Sequence, residues 1–475
     1  MATSNRPHGD RLGALPDATL ARVLSHLPTG EAVRSGLLSR RWRSVHTTVP
    51  VVALVDRKRG HEANIHDQPV CFDHQVTCAL ICRDPTAPIR ALRLDVFHPT
   101  RSLLDQWIIV ALKSGAEKVD VKLRHHNPYS RRRLCPFCRH EESSADFDYQ
   151  RPGRFIRTPR QLFRSSTLRC LRLTNWTLDL PSGDVPSFMS LETLLLKRIM
   201  APDGVLQRLV STCRRLNELT LEECPTATEI TVASAHLQSF TMVCCHKATI
   251  VVLGTPCLLS LRYKGSLPPN TSLSFFSIAN HATITAVTVD ICEDIDGKTP
   301  SEVATITELI IQCTNLTFLH LSLCPEMAFY RNLFTSVLRG LTRLRQLELK
   351  GCLLNDHAVA STIVLLQKTN NLAEVLSLFP MPPDPHKKTG YYFSDSDDSD
   401  RGLPNDHKHK VKRIRLVGYR GRQFERVIAK FLLSKAAVLD EICVSMANGC
   451  SGRKDDMARE LMSWRCNGRA RVTCA

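Results

Sequence analysis

One spacing returns along most of this 475-residue chain: an apolar residue, two others, a second apolar residue, one other, and a third. Clear copies are Leu168/Leu171/Leu173, Leu191/Leu194/Leu196, Leu216/Leu219/Leu221 and Leu237/Phe240/Met242. They continue as Leu258/Leu261/Tyr263, Ile284/Val287/Val289, Leu316/Leu319/Leu321 and Leu344/Leu347/Leu349. Weaker copies begin at Ile89, Ala116 and Leu372, and the clear ones recur every 21 to 32 residues. Apolar residues two apart share one face of a strand. One such strand cannot bury its own edge, so the copies must stack in layers whose outer ends need covering. The pattern predicts an α/β solenoid of short parallel strands, with helices or loops on its outside.

The intervals say what those connections can be. Val205, Leu206, Leu209 and Val210 have helical spacing, as do Val303, Ile306, Leu309 and Ile310. Other connections, such as the one after Cys245, are too short for a helix. Cysteines follow the repeat too. Cys224, Cys245, Cys292, Cys324 and Cys352 come three residues after a last apolar position, and Cys213 and Cys313 three before a first. A small thiol suits a tight corner. Falling one per layer rather than in matched pairs, these cysteines are not expected to bind metal. The arrangement resembles the cysteine-containing leucine-rich repeats.

Ahead of the repeats, residues 10–50 carry three short amphipathic segments. Leu20, Val23, Leu24 and Leu27 lie on one face of a helix from about Asp17 to His26, which Pro28 stops. Thr29 is an expected N-cap for a second helix closed by Gly36, and Ser39 for a third holding Trp42 and Val45. A forty-residue unit is too small to hide this many apolar groups and implies a partner. The words Leu15-Pro16-Asp17, Leu27-Pro28-Thr29 and Leu38-Ser39-Arg40-Arg41-Trp42-Arg43 resemble the F-box of plant F-box/leucine-rich-repeat proteins. That resemblance implies docking on the Skp-family adaptor of a cullin-based (SCF) ubiquitin ligase. It assigns Leu15, Pro16, Leu24, Leu27, Pro28, Val33, Leu38 and Trp42 to the docking face or the core behind it. Where the family has a Leu-Trp pair, this chain has Val45-His46-Thr47, which weakens the last turn of the third helix.

Two stretches break the repeat. Residues 124–160 are polar and contain Cys135-Pro136-Phe137-Cys138 near His125, His126 and His140. Cys135 and Cys138 are the best-spaced metal candidates, yet a single CxxC without a second pair reads first as a surface insertion. Its Arg131-Arg132-Arg133 run reads as a solvated basic loop, with nucleic-acid contact as the sharper alternative. Residues 381–410 form an acidic, proline-rich linker expected to be disordered, with Ser394, Ser396 and Ser399 as candidate phosphorylation sites.

The chain then resumes with Val411, Ile414 and Leu416 as a strand, a helix carrying Phe424, Val427, Ile428, Phe431 and Leu432, and a strand through Leu439, Ile442 and Val444. A further helix is expected near Met457 to Trp464, and the tail beyond Cys466 carries no signal. This module, 411–475, resembles the FBD domain of plant F-box proteins. The expected domains are thus a tail (1–9), an F-box (10–50), a repeat solenoid (51–380), the linker and the cap.

A net charge of +17 fits a polyanionic or acidic partner without choosing one. No stretch is apolar enough for a membrane span and the N-terminus is not a secretory signal, so residence in nucleus or cytoplasm is expected, with 19 cysteines as thiols rather than disulfides. No catalytic motif is present and no cofactor is expected. The resemblance implies a non-catalytic subunit in the ubiquitin-conjugation pathway. It would bind an adaptor, through it a cullin, and an unidentified protein target. The alternatives are a non-ligase scaffold or a basic repeat protein that binds nucleic acid.

Overall fold

The computed structural model describes residues 12, 14–56, 71–97, 99–124, 135, 156–180, 188–202, 204–267, 275–292, 300–322, 337–351, 374–379, 411–435, 438–447, 454–464 and 470–474. The tail, the linker, Cys138 and nearly all of the insertion lie outside them. The chain forms two compact units. One runs to Ala227 without Cys135, and the other comprises Cys135 and the chain from Thr228 onwards.

The first unit opens with helices α1 (Asp17–Leu24), α2 (Thr29–Arg34) and α3 (Arg40–Val45). Its sheet takes strands in chain order, all parallel: β1 (Val51–Val55), β2 (Ala91–Phe97), β3 (Lys118–Arg124), β4 (Cys170–Thr174), β5 (Thr193–Lys197) and β6 (Glu218–Glu222). Helix α4 (Phe72–Ile81) joins β1 to β2, α5 (Arg101–Lys113) joins β2 to β3, and α6 (Val205–Thr212) joins β5 to β6. The register makes the leucine spacing into continuous columns. Val52, Leu92, Val119, Leu171, Leu194 and Leu219 form one; Leu54, Leu94, Val121, Leu173, Leu196 and Leu221 form the next. All twelve are buried.

Each of β4, β5 and β6 ends on a residue in the left-handed region: Asn175 (φ 65°), Arg198 (φ 53°) and Glu223 (φ 53°). A side chain there costs about 1–2 kcal/mol. Hydrogen bonds to the next layer offset that cost, from Asn175 N to Lys197 O (3.0 Å) and from Arg198 N to Glu222 O (2.8 Å).

In the second unit the parallel sheet comprises β8 (Ser239–Val243), β10 (Ser260–Gly265), β12 (Ala286–Ile291), β13 (Phe318–Ser322), β14 (Gln346–Lys350), β15 (Val375–Phe379), β16 (Arg413–Tyr419), β17 (Glu441–Met446) and β18 (Arg471–Cys474). A three-stranded parallel sheet of β7 (Glu229–Val232), β9 (Ile250–Leu253) and β11 (Phe276–Ile278) occupies the outer connections. Where copies start only 21 residues apart, no length remains for a helix. Extended segments cross instead, burying Ile230, Val232, Val251 and Leu253, and the 26-residue interval after Leu258 adds Phe276 and Ile278 to the same sheet. These connections are therefore strands, not the helices or loops expected. The 32-residue interval after Ile284 does hold a helix, α7 (Pro300–Gln312).

The copy expected at Leu372 is one residue out of register. Leu376 and Leu378 pair with Leu347 and Leu349 and continue the buried columns. The C-terminal module extends the same sheet: β16 pairs with β15, and helices α8 (Gln423–Lys435) and α9 (Lys454–Ser463) alternate with β17 and β18. Its tail, silent in sequence, supplies β18. Gly421 (φ 68°) turns the chain into α8 where an added Cβ would sit 2.9 Å from Met457 Cε. The buried Glu425 carboxylate accepts from the Arg420 and Arg422 amides at 2.7 and 3.3 Å.

The repeat thiols take corner positions. Cys213 Sγ donates to Leu209 O (3.3 Å) and Cys313 Sγ to Leu309 O (3.2 Å). Burial pushes both thiols up from 9.0 to about 12. In the unfolded chain they ionise at the lower value. Between pH 9 and 12 the unfolded state therefore binds fewer protons, and stability falls as pH rises. Equilibrium unfolding across that range is expected to show this decline, flattened in a Cys213→Ala/Cys313→Ala variant.

Candidate partner-docking site

The three N-terminal helices close a small core of Leu20, Ala21, Leu24, Ala32, Val45 and Val49, against which Leu15 and Trp42 pack. Helix α1 ends at Leu24, two residues earlier than the spacing predicts. Thr29 is the first residue of α2 rather than its cap; Pro28 stands in the cap position and no side chain caps the helix. The Thr29 hydroxyl instead accepts from the Ala53 amide at 2.7 Å, tying α2 to β1. Gly36 lies in a 3-10 turn (Ser35–Leu37) where an added Cβ would stand 3.3 Å from Arg43 Cα. Ser39 caps α3 as expected, its Oγ accepting from Trp42 N at 3.3 Å. A 3-10 turn, His46–Thr48, follows Val45. Arg41 braces the bundle, pairing with Asp17 at 2.6 Å and donating to the Leu15 carbonyl.

This core leaves a large apolar surface uncovered. Leu12, Val23, Leu27, Val33, Leu37 and Leu38 are exposed, six of the fourteen exposed large hydrophobics among the described residues. Leu37 is 82% and Leu38 73% exposed. Pro16 and Pro28 are exposed as well. The eight residues singled out in sequence thus divide. Leu24 is core, Leu15 and Trp42 are half-buried against it, and Pro16, Leu27, Pro28, Val33 and Leu38 face outward. Leu37 is absent from those eight, although it directly precedes the word that begins at Leu38. Val23, read as part of the buried face, is 44% exposed.

The strand residues between the buried columns line the opposite face of each sheet. In the first unit Arg93, Asp120, Arg172, Leu195 and Thr220 stand in one row. Burial raises the Asp120 carboxyl above its ordinary value, opposed by Arg172 and Arg93 beside it. In the second unit the equivalent row includes Arg262, Thr288, His320 and Glu348, with His320 Nδ1 3.0 Å from Glu348 Oε2. No helix among the described residues is long and apolar enough to cross a membrane.

An F-box domain model matches residues 12–47, and a model described as "FBD-associated F-box protein At5g56370, LRR repeats" matches 145–281. The F-box/FBD/LRR-repeat protein At5g56420 of Arabidopsis thaliana is 28% identical over 247 residues, half of this chain and half of that protein. The FBD-associated F-box protein At5g60610 of the same plant is 24% identical over 456 residues, 92% of this chain and 100% of that protein. The F-box/FBD/LRR-repeat protein At1g13570 is 22% identical across 96% of this chain and 95% of its own length. Against the first of these relatives, and others like it, the match spans half their length or less.

Proposed function

Given that this chain carries an F-box followed by FBD-associated leucine-rich repeats, we propose that it is a substrate receptor of an SCF-type ubiquitin ligase. The observation that carries this reading is the F-box surface. Its core is complete, yet six large apolar side chains remain in water around it. Docking on a Skp-family adaptor, and through it on a cullin, would bury them. The rows of strand residues opposite the columns would meet a protein target. The chain then needs no reactive group of its own. It raises the effective concentration of a target lysine beside a ubiquitin-carrying enzyme. Residence in nucleus or cytoplasm is part of the same proposal.

The test is co-expression of the full chain with a Skp-family adaptor, followed by size-exclusion chromatography with light scattering. A 1:1 complex is expected. A folded chain eluting alone would remove the ligase reading and leave a repeat scaffold, and salt-sensitive retention on nucleic acid would then redirect the assignment.

A further inference from the structure

Four metal-binding side chains from three separated parts of the sequence meet in the second unit. The Sγ atoms of Cys135, Cys244 and Cys292 and a ring nitrogen of His246 all lie within 4.8 Å of one another. Cys244 Sγ and Cys292 Sγ are 3.6 Å apart. Cys135 and Cys244 are buried; His246 and Cys292 are half-buried.

The fold explains why residues so far apart in sequence converge. Cys244 is the first residue after β8 and Cys292 the first after β12, with β10 between those strands. Both cysteines are clamped to the end of β10: Cys244 N donates to Lys264 O at 2.6 Å, and Cys292 N to Gly265 O at 2.8 Å. Strands two places apart are separated by about 10 Å. The thiols span that gap across the end of β10, their Sγ atoms meeting at 3.6 Å. Cys244 takes the left-handed conformation (φ 52°) that also ends β4, β5 and β6, and the turn it makes carries His246 into the cluster. Cys135 comes from the insertion and belongs to this unit, not to the one that holds its sequence neighbours β3 and β4.

One cysteine per layer therefore does not keep these thiols apart. Stacking puts alternate layers close enough to share a ligand set, and the adjacent Cys244, not Cys245, meets Cys292. The CxxC also contributes differently from the expectation, since Cys135 finds its partners far along the chain.

We propose that Cys135, Cys244, His246 and Cys292 bind one Zn²⁺ in a closed, structural Cys₃His site that fastens Cys135 to the repeats of the second unit. Tetrahedral zinc, with Zn–S of about 2.3 Å and Zn–N of about 2.0–2.1 Å, holds its ligand atoms about 3.6–3.8 Å apart. The Cys244–Cys292 separation already meets that distance. Three thiolates and an imidazole favour zinc over magnesium or calcium, which take oxygen ligands. With four protein ligands no open position remains for water, so the role is structural rather than catalytic. On binding, each thiol gives up its proton to solvent as its sulfur bonds the metal, so loading is favoured as pH rises.

The experiment measures zinc by mass spectrometry in the full chain, purified under reducing conditions from zinc-supplemented cells without chelator. About one zinc per chain is expected. Cys292→Ser and Cys244→Ser are expected to retain under about a tenth of it, since loss of a first ligand from a closed site is not tolerated. Cys257→Ser, at an exposed cysteine in the same unit, and Cys138→Ser are expected to retain it fully. Should the ligand variants fail to fold, titration of the zinc-stripped wild type with Co²⁺ decides the matter. Intense visible bands of tetrahedral cobalt with thiolate charge transfer support the site. A folded wild type with no zinc and no such bands overturns it, as does full zinc content in folded Cys292→Ser. Zinc lost from Cys138→Ser but kept in His246→Ala would also overturn it, moving the ligation to the CxxC.

Discussion

A Leu37→Asp/Leu38→Asp variant is expected to lose the adaptor while remaining folded. These are the two most exposed large apolar residues of the F-box, at 82% and 73%, and neither belongs to the three-helix core. Burying a leucine side chain is worth about 1.5–3 kcal/mol. Removing two such contributions lowers affinity by about 10²- to 10⁴-fold, before the cost of burying two carboxylates. Leu20→Ala sets the contrast. That side chain is fully buried, and its loss should cost about 2–5 kcal/mol of stability with a lower melting temperature. Adaptor titrations read beside thermal melts separate the two effects. A Leu37/Leu38 variant that binds normally would place the docking surface elsewhere. Truncating Leu15 would be less informative, because its side chain packs on the core and its carbonyl holds Arg41.

Much of this architecture was legible because the same physical demand repeats in every layer. Columns such as Phe240, Leu261, Val287, Leu319 and Leu347 follow from one spacing, and the register preserves it. The Ser39 cap and helices α6 and α7 came from equally local rules. What escaped was set by neighbours or by length. The outer sheet of β7, β9 and β11 consists of segments of three or four residues, too short to show alternation; β7 and β9 lie in 21-residue intervals that leave no space for a helix, and β11 is made a strand by its pairing with β9. Strand β18 is four residues at the end of the chain, made a strand by its pairing with β17. The spacing from Leu372 reaches Val375 but ends on Ser377, whereas the triplet one residue later ends on Leu376 and Leu378, and pairing with β14 selects that one. Cys244 and His246 carried no signal, because their proximity to Cys292 and Cys135 exists only once layers stack. The F-box was legible as a set of words, yet which leucines belong to its core depended on where α1 ends and the 3-10 turn begins.

Trp176→Ala is expected to be the most damaging single substitution in the first unit. Trp176 is fully buried and follows the left-handed Asn175 at the end of β4. Its indole donates to the Val121 carbonyl at 3.1 Å, and the Asn175 side-chain Nδ2 donates to the Leu123 carbonyl at 2.5 Å. Both bonds reach back to β3, so this corner fixes one layer to the one before it. Deleting the ring should cost about 3–5 kcal/mol through lost burial and the cavity left behind. The stranded Val121 carbonyl adds about 1–3 kcal/mol. Trp176→Phe separates these terms, because it keeps most of the volume and removes only the donor. Denaturant unfolding should rank wild type above Trp176→Phe, and Trp176→Phe well above Trp176→Ala. In a repeat array each layer is held mainly by its neighbours, so the damage should be local. Limited proteolysis of Trp176→Ala is therefore expected to cut first within the first unit, leaving the second protected. Loss of protection in both units at once would show that the layers unfold as a single cooperative block.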